Sequence, residues 1–204
     1  NLHIGHIRDA FSLPKYRSVM LGRAGLFVKT AESLYQQWGL NAGLAFYYGF
    51  PSQRHSRLGN RLLAYQQGDN WLRYRFAVGQ KLRQLTAASG VLRQVNIFGD
   101  EFDLIWQARQ KKLALAVVRD QHFLSWRFNS RCGRTYWVWS FMPYLSKVIA
   151  GYVIFSRVGC KAYLVDFCLP DHVPDCLSFW QQIVKKLRWQ GIAEVETWFS
   201  ANSP

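Results

Sequence analysis

Gly22-Arg23-Ala24-Gly25 is the stretch whose residue types best suit binding chemistry. It follows a segment that opens on Pro14, Lys15 and Arg17, and it precedes apolar residues at Phe27, Ala31, Leu34 and Trp38. That spacing predicts one face of a helix. Glycines let the backbone approach a ligand closely, and the first amides of a helix lack acceptors inside it. The helix dipole adds partial positive charge, so the stretch predicts a cradle for an anion such as phosphate. A plain loop-to-helix junction accounts for the same residues without a ligand.

The whole-chain charge points the same way but less specifically. Lys and Arg number 26 and Asp and Glu 12, a net charge of +14 over 204 residues. Such an excess attracts nucleic acid, anionic lipid or phosphorylated small molecules alike. The basic residues are scattered, with local clusters at Arg54/Arg57/Arg61, Lys81/Arg83 and Lys185/Lys186/Arg188. A cationic solvated surface explains them equally well. Half of the chain is hydrophobic, which predicts a packed core. No apolar run reaches the roughly 18 residues of a membrane span. Cys132, Cys160, Cys168 and Cys176 form no CxxC pair and are not bracketed by histidines, so no metal site is expected. Free buried thiols in a cytoplasmic protein fit this usage.

In chain order, Leu2 to Phe11 predicts a strand, followed by the glycine loop, a helix and Gly39 as its C-cap. Gly43 to Phe50 predicts a buried strand. Ser52 predicts the N-cap of a helix with Leu58, Leu62 and Tyr65 on one face. Trp71 to Val78 alternates as a strand, and Gly79 to Gly90 reads as a connection or short helix. Asp100 opens a helix carrying Phe102, Ile105, Trp106 and Arg109, and Asp120 caps another carrying Phe123, Leu124 and Phe128. Strands at Thr135–Phe141, Val148–Phe155 and Ala162–Cys168 follow. A helix from Pro174 has Leu177, Trp180, Val184 and Leu187 on one face, and Ile192–Phe199 is the last strand. Alternating strands and helices predict the α/β class.

The loop and the order around it resemble the GNAT acetyltransferase superfamily. Strand, phosphate loop, helix, strand, helix is the order of that family's acyl-CoA-binding half. Its loop pattern, Gln/Arg-x-x-Gly-x-Gly/Ala, falls on Gly22 to Phe27 with Gly25 matching, and Gly22 and Phe27 departing. GFPSQRHSRLGNRLLAY is similar to the family's GFPN-type junction, where an Asn opens a helix and a Tyr seven residues on protonates the departing thiolate. Here Ser52 and Gly59 stand at those positions, so the usual tyrosine is missing; Tyr47, Tyr48 and Tyr65 are nearby in sequence. RDQHFLSWRF, Arg119 to Phe128, resembles a segment of members with a second, divergent repeat.

The resemblance implies a mixed, mostly antiparallel sheet flanked by helices (α+β) in two tandem units. The first, residues 1–90, would hold the acyl-CoA loop and be truncated on its N-terminal side; the second is 91–204. It implies acetyl-CoA or another acyl-CoA as cosubstrate, an amine on a small molecule or peptide as acceptor, and no metal. Asp9 is then the candidate base. Phe11 and Leu13 would line the pantetheine arm, and Gly22, Arg23, Ala24, Gly25 and Leu26 would hold the phosphates. Ser52 and His55 would face the cofactor from the second helix. In the second unit Leu169-Pro170-Asp171-His172-Val173-Pro174-Asp175 replaces the cradle; prolines lack donors and acids repel phosphate, so no coenzyme A is expected there. Asp120 and Arg127 are expected to form an ion pair. The expected function is acyl-CoA-dependent N-acyltransfer; the rivals are a non-catalytic module of the same fold and, less favoured, a basic nucleic-acid-binding protein.

Overall fold

The structure, a computed structural model, describes residues 2–7, 22, 25–79, 87–128 and 135–201. The chain divides into two units, Asn1–Asp69 and Asn70–Pro204.

In the first unit β1 (Ile4–Ile7) pairs in parallel with β2 (Phe46–Gly49), from Ile4 opposite Phe46 to Ile7 opposite Gly49. Each strand is followed in the chain by a helix: α1 (Leu26–Leu34) and α2 (Gln53–Leu62). α1 runs on into a single π-helical segment, Tyr35–Leu40. The wider i→i+5 turn shifts the phase of the helix. Trp38 therefore leaves the face predicted for it and is 64% exposed, while Val28 is the buried residue of α1. Gly39 lies inside the π segment instead of capping the helix. β2 is half-buried to exposed, not the buried strand its apolar run suggests.

The second unit is a six-stranded sheet between helices. Its strands are β3 (Trp71–Ala77), β4 (Gly90–Gln94), β5 (Tyr136–Pro143), β6 (Gly151–Val158), β7 (Lys161–Cys168) and β8 (Glu194–Ser200), in spatial order β3-β8-β7-β6-β5-β4. All neighbours are antiparallel except β7 and β8. The expectation of a mixed, mostly antiparallel sheet holds. β3, which the sequence groups with what precedes it, pairs with β8 along its full length, Trp71 opposite Ser200 to Ala77 opposite Glu194.

Period-two alternation sorts the central strands onto two cores. From β5 and β6, Trp139, Phe141, Val153 and Phe155 pack with Phe179, Ile183 and Leu187 of α5 (Val173–Trp189). The other face of the same strands, Val138, Tyr152 and Ile154, packs with α3 (Glu101–Gln110) and α4 (Gln121–Phe128) through Phe102, Ile105, Leu124 and Phe128. The buried stripe of α5 is Phe179, Ile183 and Leu187 with Val184; Leu177 and Trp180 flank it half-buried, so the face is rotated from the one predicted. Asp100 occupies the N-cap of α3 without a side-chain cap, and Asp120 caps α4 by accepting from the Phe123 amide at 2.8 Å.

Candidate functional site

The two helices of the first unit begin together. Ser52 caps α2, its Oγ accepting from the His55 amide at 3.4 Å. The His55 ring meets Phe27, in the first turn of α1, edge to face at 4.9 Å. So the positive ends of two helix dipoles converge beyond Gly49, the last residue of β2. Gly22, at φ +68°, accepts at its carbonyl from the Gly25 amide at 3.0 Å, closing a turn before α1. That amide is therefore engaged. Gly25 caps α1 with extended backbone and no side-chain cap, which leaves the first-turn amides of Leu26, Phe27 and Val28 without acceptors in the helix. Together with the Gln53 and Arg54 amides at the start of α2, they form a donor-rich corner suited to a diphosphate.

Behind this corner runs a chain of aromatic rings. The Tyr35 and Tyr65 hydroxyls lie 2.9 Å apart, Tyr47 tilts against Tyr35 at 5.0 Å, and Tyr65 lies 6.0 Å from His55. Burial, with the Tyr65 hydrogen bond next, pushes the Tyr35 phenol pKa upward. The His55 Nε2 is enclosed without a partner. A Cβ at Gly59 would sit 2.1 Å from the Tyr65 ring, so the missing side chain at 59 is what admits that ring. Gly59→Ala is expected to expel it and lose the Tyr35 hydrogen bond. Overpacking of about 1–3 kcal/mol less about 1 kcal/mol of helix propensity leaves a net destabilisation of about 0–2 kcal/mol, read from urea unfolding; a stabilised variant would show that Tyr65 swings aside freely.

Of the residues singled out in the sequence, Gly22 and Gly25 form the turn, Leu26 is the first residue of α1 and is exposed, and Ser52 and His55 open α2. Asp9, Phe11, Leu13, Arg23 and Ala24 lie outside the described residues. The Phe27–His55 contact that brings the helices together was not anticipated; only the paired helix starts hinted at it.

The second unit has the corresponding strand–helix junction but fills it. The parallel β7–β8 ladder stops at Tyr163 opposite Glu196, and a bulge follows in β7, where Ile154 faces Asp166 and Phe155 faces Leu164. Val165 is the extra residue. Beyond that point Thr197 Oγ1 donates to the Leu164 carbonyl at 3.4 Å, and the Phe167 and Phe199 rings meet edge to face at 5.5 Å. Asp171, in the loop before α5, is held by Arg109 and by Lys112 (Nζ at 2.8 Å). The Lys112 and Arg109 contacts draw its pKa below the usual carboxylate range. An internal carboxylate thus takes the cations that a ligand anion would use.

Nearby, Arg119 Nε lies 3.1 and 3.0 Å from the two Asp166 oxygens, and the Tyr152 hydroxyl donates to Asp166 at 3.2 Å. Burial raises the Asp166 pKa, opposed by Arg119. This replaces the expected Asp120–Arg127 pair: Asp120 caps α4 and the Arg127 guanidinium lies over the Phe128 ring at 5.5 Å. Cys160, Cys168 and Cys176 are free thiols, and Cys160 is exposed, against the expectation that all are buried. Among the described residues no cluster of three or more His, Cys, Asp or Glu could hold a metal, and no helix is long and apolar enough to cross a membrane.

The architecture is that of the GNAT N-acetyltransferase fold, and solved structures described as GCN5-related N-acetyltransferases or GNAT proteins are among those it matches. A conserved protein of unknown function from Enterococcus faecalis superposes with TM-score 0.71 at 16% identity, over 100% of this chain and 50% of its own. A GCN5-related N-acetyltransferase from Anabaena variabilis gives 0.65 at 17%, over 93% and 46%. A tandem GNAT protein from the clavulanic acid biosynthesis pathway gives 0.59 at 12%, over 100% and 68%. The chain spans about half the length of the first two. No protein-family model and no curated protein matches it by sequence. At these identities the likeness establishes the fold.

Proposed function

We propose that the chain is part of an acyl-CoA-dependent N-acyltransferase, that its first unit holds the cosubstrate, and that its second is a divergent GNAT-like repeat that binds none. The observation that carries this is the meeting of the α1 and α2 N-termini through Phe27 and His55 at the end of a parallel strand pair. Two dipoles and first-turn amides that have no acceptor inside their own helices suit the diphosphate of coenzyme A. The acceptor is an amine on a small molecule or peptide. Asp9 serves as the base that takes the amine's proton, and Phe11, Leu13, Arg23 and Ala24 border the cofactor. The free thiols fit a cytoplasmic setting.

Calorimetric titration with acetyl-CoA is the test. Saturable heat is expected from the parent protein. Gly22→Val, which forces a β-branched residue into left-handed backbone at a strain of about 1–2 kcal/mol, is expected to weaken binding about 5- to 30-fold. No heat at millimolar acetyl-CoA would leave a non-catalytic module of the same fold as the reading.

A further inference from the structure

The second unit carries a groove of about 740 Å³ that the acyl-transfer reading does not use. Its floor is Leu92 of β4 and Trp139 of β5, and its wall is the C-terminal half of α5. The volume is within the about 300–1,000 Å³ of ligand sites. Every charged residue lining it is basic: Lys185, Lys186 and Arg188. Neither lysine has a carboxylate partner among the described residues. Arg188 is fixed by its Nε donating to the Val78 carbonyl.

Beside the cations stands Trp189, 82% exposed, with Lys186 Nζ 5.2 Å from its ring centre. A ring this large left in water next to unpaired cations suits a flat, anionic ligand. Gln182 could otherwise read the edges of such a ligand. Its Oε1 accepts from the Leu92 amide at 3.1 Å and its Nε2 donates to the Gly90 carbonyl at 3.0 Å, so it is engaged with β4. Of the polar uncharged lining this leaves Gln94. The site therefore offers charge and a stacking face with little to discriminate one base from another.

We infer that this groove binds single-stranded nucleic acid without sequence preference, the lysines facing phosphates and Trp189 stacking on a base. A bilayer is the poorer match, because it is met by a protruding apolar face and this surface is concave.

Fluorescence anisotropy of the full chain with a labelled oligothymidylate of about 20 nucleotides tests it. Saturable binding is expected that weakens between about 50 and 200 mM salt. Lys185→Glu/Lys186→Glu should weaken it at least about 10-fold and reduce the logarithmic salt slope by about 1.4, the share of two phosphate contacts. Trp189→Ala should weaken it about 5-fold or more. Arg57→Ala, on α2, should bind as the parent does, and circular dichroism should show every variant folded. Several results overturn the inference: no saturable binding, folded variants that bind like the parent, loss with the lysine variant alone, or Trp189-dependent binding to phosphatidylserine vesicles tighter than to the oligonucleotide.

Discussion

Arg119→Ala is expected to destabilise the second unit by about 3–5 kcal/mol at pH 7, the cost of stranding a buried charge. Asp166, with its side chain 8% exposed, would keep the Tyr152 hydroxyl and the Phe167 backbone as hydrogen-bond partners but no cation. Arg119 itself is about one third exposed, so the lower end of that range is the better figure. The pH dependence gives the sharper test. Burial already raises the Asp166 pKa above its unfolded value, and Arg119 holds that rise down. A carboxyl with a raised folded pKa binds its proton more tightly in the folded state. Its contribution is most favourable at low pH and is lost as pH rises from the unfolded value through the folded one. Removing Arg119 enlarges the rise and moves its upper end to higher pH. Urea unfolding should therefore show the variant regaining stability relative to the parent as pH is lowered from neutrality toward the unfolded carboxyl range. A gap that does not change with pH would mean that Arg119 contributes packing rather than charge.

Phe155→Ala is expected to cost about 3–5 kcal/mol through the cavity it leaves. Phe155 is fully buried on β6, its ring 5.6 Å from Trp139, among the residues that seat α5 on the sheet. Against a domain stability of about 5–15 kcal/mol, that removes a large fraction. The urea midpoint should fall with an unchanged slope. A loss under about 1 kcal/mol would show that neighbouring rings close over the gap.

The parts of this architecture legible in the sequence are those with local signals. β5, β6 and β7 announce themselves as apolar runs, and α5 by Pro174 at its start. β4 carries no such signal: Gly90 falls at the end of the stretch that reads as a connection, and Val91-Leu92-Arg93-Gln94 is a short edge segment with only two large apolar residues. The π turn at Tyr35–Leu40 has no composition of its own, and it turned Trp38 outward. Arg119 and Asp166 are 47 residues apart, so nothing near either names the other. At the candidate site the glycine turn and the Ser52 cap were legible. The approach of Phe27 to His55 is tertiary, and the fit of Tyr65 over Gly59 depends on an absence, which patterns of present residues do not reveal.

Gln182 gives the sheet something a helix seldom supplies. Its amide completes hydrogen bonds along the outer rim of β4 as a neighbouring strand would, and Ser178 does the same for the Ser89 amide. An unguarded rim invites the extended segment of another molecule to add itself and begin open-ended association. Here the guard sits on α5 and not on the strand. Resistance to intermolecular polymerisation at that rim therefore depends on how firmly one helix stays docked.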